Sequence, residues 1–380
     1  MAGALSGLRV ALLATTFNPG GVTSSLRALV GALLELGAVV SAHALESTQG
    51  AFAEWLTSNG VQVECLGVRK WTYSLRTSRA VAEMLRRERP TVLNAHCYEP
   101  ALHACRARKR VHIPYLIITH HDPRIRIHRL IENRIYRNVP DRIVLVSEGL
   151  KRLYRSTCGY REDKLFVLPN AVDTDRFAPG PKDQGLMAEL GLKDSYPVVG
   201  HVGGFGRPKG QALLVRAFAE VLKELPAAKL VLVGDGKHRP HVQSLARRLG
   251  IADRVVFAGH RSDVFRFLSV FDIYAHPSWL EADPVAVKEA MAAAKPVIST
   301  ATLGPASFIE SGRTGILVPV GDWRGLAREI VRVARNPALA SSLAAEARRY
   351  ALEELSLPKF RERVAELFAP ALEQPENPRA

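Results

Sequence analysis

Short hydrophobic runs alternate with longer amphipathic segments along almost the whole chain. The runs are rich in Val, Ile and Leu and have the length of strands, and the segments between them repeat apolar residues at helical spacing. Strands that alternate with helices are typical of parallel sheets covered on both faces. The pattern therefore predicts an α/β protein, with seven strands beginning at Leu8, Ala38, Val61, Thr91, Pro114, Arg142 and Leu165, and six more beginning at Tyr196, Ala228, Arg254, Asp272, Lys295 and Gly315.

A segment rich in Pro, Gly and charge separates the two series of strands. It begins at Phe177 and reads FAPGPKDQGLMAELGLKD, which is the composition of a linker. We therefore expect an N-terminal domain of residues 1–178, a second domain of residues 179–352, a C-terminal helix within 353–373 that packs back on the first domain, and a frayed tail of residues 374–380. Ligands of open α/β sheets bind at the carboxyl ends of the strands, so the loops after the strands are where chemistry is expected.

Composition excludes several classes of protein. The 380 residues include four cysteines, none in a C-x-x-C pair, so neither a zinc site nor a disulfide framework is predicted. The apolar runs stop after about six residues, far short of the roughly 20 that a membrane-spanning helix needs. We expect a cytoplasmic protein, with possible peripheral attachment at the inner face of the cytoplasmic membrane.

The charge is strongly basic, and it is concentrated. Lys and Arg exceed Asp and Glu by 15, and residues 106–161 alone hold 14 basic and 4 acidic side chains. Within this stretch Ile127, Leu130, Ile131 and Ile135 share one face of a predicted helix, which could lie on an anionic bilayer or pack on its own sheet. The chain lacks aromatic interleaving and any helix-turn-helix, so we expect no nucleic acid partner.

Two loops carry candidate chemistry in the second domain. The strand that ends near His201 runs into GGFGRPKG, where glycine amides, a following helix and two cations could cradle a diphosphate. Further on, Glu281 and Glu289 flank a predicted helix start, with Asp283 as N-cap and Pro284 as the first helical residue. From the residues alone, a tight turn with two solvated cations remains an alternative to the diphosphate cradle. For Glu281 and Glu289, composition alone favours two surface residues without a binding role.

Several segments, in order, resemble those of a known family. EADPVAVKEAMA, LPNAVDTDRF, VSEGLKRLY and SGRTGILVPVGD resemble segments of the retaining, nucleotide-sugar-dependent glycosyltransferases of family four, the glycosyl transferases group 1. The likeness extends from about Leu8 to Phe368. It implies the GT-B fold, in which two Rossmann-like parallel-sheet domains face one another across a cleft.

The resemblance also implies roles for residues of the second domain. Glu289 is implied to bind the ribose hydroxyls and Glu281 to contact the donor sugar. Lys209 is implied to hold the donor diphosphate. The arginine that usually accompanies this lysine aligns near Gly204, so we expect Gly204 to belong to the cradle and Arg207 to substitute for the missing arginine.

In the first domain, two further segments resemble the family. FNPGGVTS resembles its glycine loop, which implies that Gly20 and Gly21 approach the donor. IITHHDPR resembles its T-x-H-D segment, which implies that His121 is a catalytic residue near the reacting sugar. His120 should point to the other face if the strand alternates.

The resemblance implies transfer of a hexose-type sugar, with retention, from a nucleotide-diphosphate donor to an anionic glycolipid, polysaccharide or other cell-envelope acceptor. It implies no cofactor besides the donor substrate and no metal ion. An alternative is a sugar-nucleotide epimerase of the same fold, which would need no acceptor.

Overall fold

The computed structural model describes residues 3–18, 21–48, 50–68, 74–125 and 127–374, and it divides the chain into two compact units. Unit 1 comprises Met1–Asn170 and Leu357–Ala380, and unit 2 comprises Ala171–Ser356. Each unit is built on one parallel sheet, so the predicted α/β class is confirmed.

Unit 1 contains a seven-stranded sheet in the order β3-β2-β1-β4-β5-β6-β7. All seven predicted strands are present, namely β1 Arg9–Thr16, β2 Val39–Ser47, β3 Gln62–Cys65, β4 Val92–His96, β5 Tyr115–His120, β6 Arg142–Leu145 and β7 Leu165–Val167. The helices that precede unit 2 are α1 Gly21–Glu35, α2 Ala51–Ser58, α3 Leu75–Glu88, α4 Tyr98–Arg108, α5 Ile127–Tyr136 and α6 Glu148–Cys158. The strand order reverses between β1 and β4, so loops after these strands meet where parallel sheets bind ligands.

Unit 2 contains a six-stranded sheet in the order β10-β9-β8-β11-β12-β13. Its strands are β8 Val198–Val202, β9 Lys229–Val233, β10 Val255–Gly259, β11 Ile273–His276, β12 Val297–Thr300 and β13 Ile316–Val318. Its helices are α7 Gln184–Glu189, α8 Gln211–Glu224, α9 Arg239–Arg248, α10 Val264–Val270, α11 Val285–Ala292, α12 Pro305–Phe308, α13 Trp323–Ala334 and α14 Pro337–Tyr350. Here the order reverses between β8 and β11, the two strands that precede the glycine-rich and glutamate loops.

Successive strand residues in unit 2 enter two separate hydrophobic clusters. Val199 and Leu230 belong to the cluster beneath α8 and α13, whereas Val198 and Val231 belong to the cluster beneath α10 and α11. Alternate side chains of a strand point to opposite faces, so both faces of the sheet are covered. This burial explains why the strands are nearly all apolar rather than alternating with polar residues.

The boundaries between the units differ from those expected from the sequence. Unit 2 begins at Ala171 rather than at 179, because Val172 and Phe177 are buried in its core. Residues 353–356 also belong to unit 2, since Val172 N donates to Leu355 O at 2.8 Å.

The last helix, α15 Leu357–Phe368, returns to unit 1, where it packs on α1 and Arg361 pairs with Glu35. Except for Gln374, the tail that we expect to fray lies outside the described residues. Within the described ranges, no helix combines the length and the apolarity needed to cross a bilayer.

Candidate active site

The loop after β8 and the loop after β11 meet at Gly210. This residue has φ 69°, and a Cβ built on it would lie 2.1 Å from Pro277 O. A side chain would therefore force the two loops apart, and the left-handed conformation independently favours glycine. Lys209 lies immediately before this contact, at the end of the short helix Arg207–Lys209.

The contact between the loops brings Lys209 to Glu281. Lys209 Nζ donates to Glu281 Oε1 at 2.6 Å, although 72 residues separate the two positions. The lysine side chain is 37% exposed and the glutamate side chain 10% exposed. The structure thus places two sequence-predicted site residues in direct contact at the point where the strand order reverses.

Glu281 has two further hydrogen-bond partners, one at the end of β11 and one in the loop that follows it. Ser278 Oγ donates to Glu281 Oε1 at 3.0 Å, and His276 Nε2 lies 3.3 Å from the same oxygen. Burial acts to raise the pKa of the Glu281 carboxyl, but the hydrogen bond from His276 and the charge of Lys209 outweigh it and bring the pKa to about 2. Glu281 is therefore an ionised acceptor at neutral pH, held in one orientation.

Glu289 lies on α11 and has a different environment. Burial raises its pKa to about 7, and the charge of Arg176 opposes that shift only in part. The two glutamates of the motif thus differ in protonation, since Glu281 is charged and Glu289 titrates near neutrality. A carboxyl that titrates near neutrality, as Glu289 does, can either accept or donate a hydrogen bond. This property suits Glu289 to bind hydroxyl groups.

The start of α11 differs by one residue from the sequence prediction. The helix begins at Val285, with Pro284 in the N-cap position and no side-chain cap. Asp283, the predicted cap, instead pairs with Lys288 at 2.6 Å, inside the protein. The carboxylate that the sequence offered as a cap thus binds Lys288, the fourth residue of the helix, instead of a backbone amide at its start.

The remaining predicted cradle residues lie beside Lys209 or in unit 1. Gly204 and Arg207 are exposed on the loop before α8. A Cβ on Gly204 would come no closer than 3.7 Å to Asp235 O, so glycine is not sterically required there. Gly21 is the first residue of α1, where a helix amino end favours an anion. Gly20 lies outside the described residues.

His121 follows β5 in unit 1 and contacts a second histidine. His96 Nδ1 lies 3.1 Å from His121 Nε2, and the rings stack at 5.5 Å. Burial lowers the pKa of His121 to about 4, and burial together with His121 holds the pKa of His96 well below its usual range. At neutral pH both rings are uncharged, with one donating and the other accepting.

His120 lies on the opposite face of β5, as strand alternation predicts. Its ring stacks on Tyr154 at 4.5 Å, and Tyr160 Oη lies 3.3 Å from its Nε2. His120 is therefore part of the packing of unit 1 and is separated from His121 by the sheet.

Three polar residues of these clusters were not predicted from the sequence: His96, His276 and Ser278. His96 and His276 are the last residues of β4 and β11, and both are almost fully buried. A polar residue at the carboxyl end of an otherwise apolar strand is the signal that could have found them, because such a group needs a buried partner. The partners themselves are distant in sequence and become visible only in the fold.

One group of potential metal ligands occurs among the described residues, consisting of His43, Glu64 and Glu88. Glu64 lies 3.1 Å from His43 Nδ1 and Glu88 lies 2.9 Å from His43 Nε2, so the carboxylates are on opposite sides of the ring. Arg87 also contacts Glu64. The charge of Arg87 on Glu64 and the hydrogen bonds of the carboxylates to the two ring nitrogens of His43 explain the cluster without an ion.

Comparison with known proteins identifies the class that this fold and site define. The profile described as Glycosyltransferase Family 4 matches residues 19–176, and that described as Glycosyl transferases group 1 matches residues 196–336. The two matches together cover most of the chain; the first lies in unit 1 except for its last six residues, and the second lies in unit 2. The chain belongs to this family of glycosyltransferases, as the resemblance of its motifs implied.

Curated relatives match over part of their length. The lipopolysaccharide core biosynthesis glycosyltransferase LpsE of Rhizobium meliloti is 36% identical over 157 residues, which are 41% of this chain and 45% of LpsE. The N-acetyl-alpha-D-glucosaminyl L-malate synthase of Bacillus anthracis is 30% identical over 192 residues, half of each chain. The matches thus span about half the length of these relatives.

Solved structures share the fold over nearly the whole chain. Anabaena HepE, determined in complex with UDP and glucose, superimposes with a TM-score of 0.83 and 21% identity, covering 96% of this chain and all of HepE. The sucrose-phosphate synthase of Thermosynechococcus elongatus gives a TM-score of 0.81 and 20% identity, covering 96% and 99%. The chain has the GT-B fold, with its two Rossmann-like domains.

Proposed function

We propose that the protein transfers a hexose-type sugar from a nucleotide-diphosphate donor to a glycolipid, polysaccharide or other cell-envelope acceptor, with retention at the anomeric carbon. The contact between Lys209 and Glu281 carries the proposal. It joins a cation suited to a diphosphate and an ionised carboxylate suited to sugar hydroxyls, at the loops where parallel sheets bind ligands.

The departing nucleoside diphosphate is the group that needs stabilisation. When the bond from the anomeric carbon to the diphosphate oxygen breaks, negative charge grows on that oxygen. Lys209, Arg207 and the backbone amides at Gly204 and at the start of α8 offer positive charge there without a metal ion. Preorganised charge of this kind is the largest contribution in many enzymes.

Lys209 must exchange partners when the donor binds. Its Nζ is held by Glu281 in the free protein, and the diphosphate would take its place. Glu281 keeps the hydrogen bonds of Ser278 and His276 during this exchange, so the carboxylate remains oriented towards sugar hydroxyls. Glu289 is the proposed ribose contact, and the neutral His121 the proposed contact of the reacting sugar, with His96 fixing its ring.

Turnover of nucleotide sugars tests this function. We expect transfer from a labelled nucleotide sugar only when a saccharide or glycolipid acceptor is added, with the donor's anomeric configuration kept in the product. Proton NMR of the new linkage reads that configuration. Conversion of the nucleotide sugar without acceptor would instead favour an epimerase of the same fold.

The same assay tests the proposed absence of a metal requirement. Excess EDTA should leave the rate unchanged, because positive side chains and amides take the place of the ion. If EDTA stops the reaction and magnesium or manganese restores it, the diphosphate is held through a metal.

We also propose that helix α5 attaches the protein to anionic membranes. Ile131 and Ile135 are 55% and 62% exposed, so these isoleucines do not pack on the sheet. Arg134 and Arg137 are exposed on the same segment. Apolar side chains beside cations suit a helix that lies in the interface of an acidic bilayer.

Vesicle co-sedimentation should show this attachment. We expect binding to vesicles with phosphatidylglycerol, release by salt, and no binding to neutral vesicles. Changing Arg134 and Arg137 to Gln should weaken binding by about 30-fold, since each cation near the surface contributes about 1 kcal/mol.

The matched control changes Arg324 and Arg328 of α13 to Gln, which removes equal charge from unit 2. Equal weakening by both pairs would assign the effect to net charge and not to α5. Two further arginines belong to this basic stretch, but Arg126 and the side chain of Arg129 lie outside the described part of the chain.

A further inference from the structure

A fully buried ion pair lies between the two glutamates of the candidate site. Lys288 Nζ lies 2.6 Å from the carboxylate of Asp283, and the two side chains are 0% and 1% exposed. Asp283 is two residues after Glu281, and Lys288 immediately precedes Glu289. The proposed sugar and ribose contacts therefore lie on either side of this pair in the sequence.

The surroundings of Lys288 are those of a hydrophobic core. Its Nζ lies 5.3 Å from the centre of the Phe308 ring, and the neighbouring Val287, Ala290 and Met291 are completely buried. Removing two charges from water costs more free energy than many such pairs recover, so an apolar side chain of similar size is often as stable or more stable. Stability alone thus gives little reason for a lysine here.

The pair instead constrains the course of the backbone. It joins the segment before α11 to the first turns of that helix, across five residues. On the other side of this segment, Gly304 N donates to Glu281 O at 3.0 Å, and a Cβ on Gly304 would lie 2.6 Å from Ala282 O. Residues 281–284 are therefore held between the ion pair and the tight approach of Gly304.

This restraint matters when Lys209 leaves Glu281 for the diphosphate. The carboxylate then loses its shortest hydrogen bond and depends on Ser278, His276 and the backbone for its position. A shift of about 1 Å in a positioned group can reduce a rate by about 100-fold.

We propose that Asp283 and Lys288 are positioning residues, whose ion pair fixes the backbone of residues 281–284 so that Glu281 stays aligned on the donor sugar. This proposal rests on the proposed function of Glu281. It predicts a defect in turnover rather than in nucleotide binding, because the pair restrains residues 281–284, whereas Lys209 lies in the loop after β8 and Glu289 lies within α11.

The test compares Lys288→Met, Asp283→Asn and the double variant that carries both changes. Each single variant leaves one buried charge without its partner, so we expect a lower Tm. The double variant removes both charges, and its Tm should return towards that of the wild type. Its kcat should nevertheless stay about 10- to 100-fold below the wild type, while its Kd for UDP or GDP by calorimetry changes less than about 2-fold.

Turnover is expressed per molecule that binds nucleotide, so the comparison holds even if the double variant does not regain its stability. Wild-type kcat in the double variant overturns the proposal and makes the pair purely structural. A large rise in the Kd for nucleotide overturns it as well. The exposed pair Glu220 and Lys223, changed to Gln and Met, is the control and should leave kcat and Tm unaltered.

Failure of the ion-pair proposal can be distinguished from failure of the proposed function. If the wild-type protein binds no nucleoside diphosphate and transfers no sugar, the proposed function fails before the variants are compared. If the wild type is active, the double variant alone decides whether the ion pair acts through Glu281.

Discussion

Replacing Lys209 with methionine is expected to lower kcat/KM for the nucleotide sugar by about 100- to 1,000-fold. This is the loss measured when a single preorganised group that stabilises transition-state charge is removed. Methionine keeps most of the side-chain volume, and the lysine is 37% exposed, so the fold should survive. Kinetics at saturating acceptor, together with calorimetry of donor binding, measure the effect.

How the loss is distributed between kcat and KM shows whether Lys209 acts in substrate binding or in the chemical step. A change in KM alone would mean that the lysine binds the diphosphate equally in the ground state and the transition state. A fall in kcat equal to the fall in kcat/KM would mean that the lysine stabilises the negative charge that develops on the departing diphosphate. Lys223→Met removes an exposed lysine of the same unit and should leave both constants unchanged. Activity of the Lys209 variant within about 3-fold of wild type would contradict the assignment of Lys209 to the donor diphosphate.

The sheets were predictable because burial on both faces demands nearly continuous apolar strands. All thirteen runs became strands, and even the short β3 and β13 were found. The loops after β8 and β11 were identified by glycine, charge and the family motif together. Their meeting was not, because the contact depends on Gly210 approaching Pro277, which are 67 positions apart in the sequence.

The charged groups show most clearly where local reasoning ends. Asp283 has the residue type and position of a helix cap, and only the structure shows that its carboxylate pairs with Lys288 instead. Likewise a surface position in the loop was one alternative for Glu281, whereas in the structure it accepts hydrogen bonds from Lys209, Ser278 and His276. The partner of a charged group is decided by how the chain packs, both within one segment, as for Asp283 and Lys288, and between distant segments, as for Lys209 and Glu281.

The buried histidines lead to the second large effect, which is a loss of stability in weak acid. Burial lowers the pKa of His103 and His121 to about 4 and that of His201 to about 3. The charge of Arg106 adds to the effect at His103, and His276 adds to it at His201. An exposed imidazole has its pKa near 6.5, so the unfolded chain binds more protons than the folded chain between these values.

Stability should therefore be complete above about pH 7 and decline as the pH falls towards 4. Each of these histidines contributes up to about 1.4 kcal/mol per pH unit, or about 2 kcal/mol between pH 7 and pH 5. His103 and His121 both lie in unit 1, and these two histidines together should remove about 4 kcal/mol, a large share of the 5 to 15 kcal/mol typical of a domain. His96, whose pKa is also lowered, acts in the same direction.

Hydrogen exchange of the amides of β4 and β5, compared with those of β8, measures the two units separately. In the wild type, Ser78 Oγ lies 2.9 Å from His103 Nδ1. The variant His103→Asn keeps a polar atom for this contact but cannot take up a proton. It should reduce the pH dependence in unit 1 by about 1.4 kcal/mol per pH unit and leave unit 2 unchanged. His201→Asn is the matched control and should show the reverse pattern. An opening free energy of β4 and β5 that is constant from pH 7 to pH 5 would mean that these histidines are not held neutral by burial.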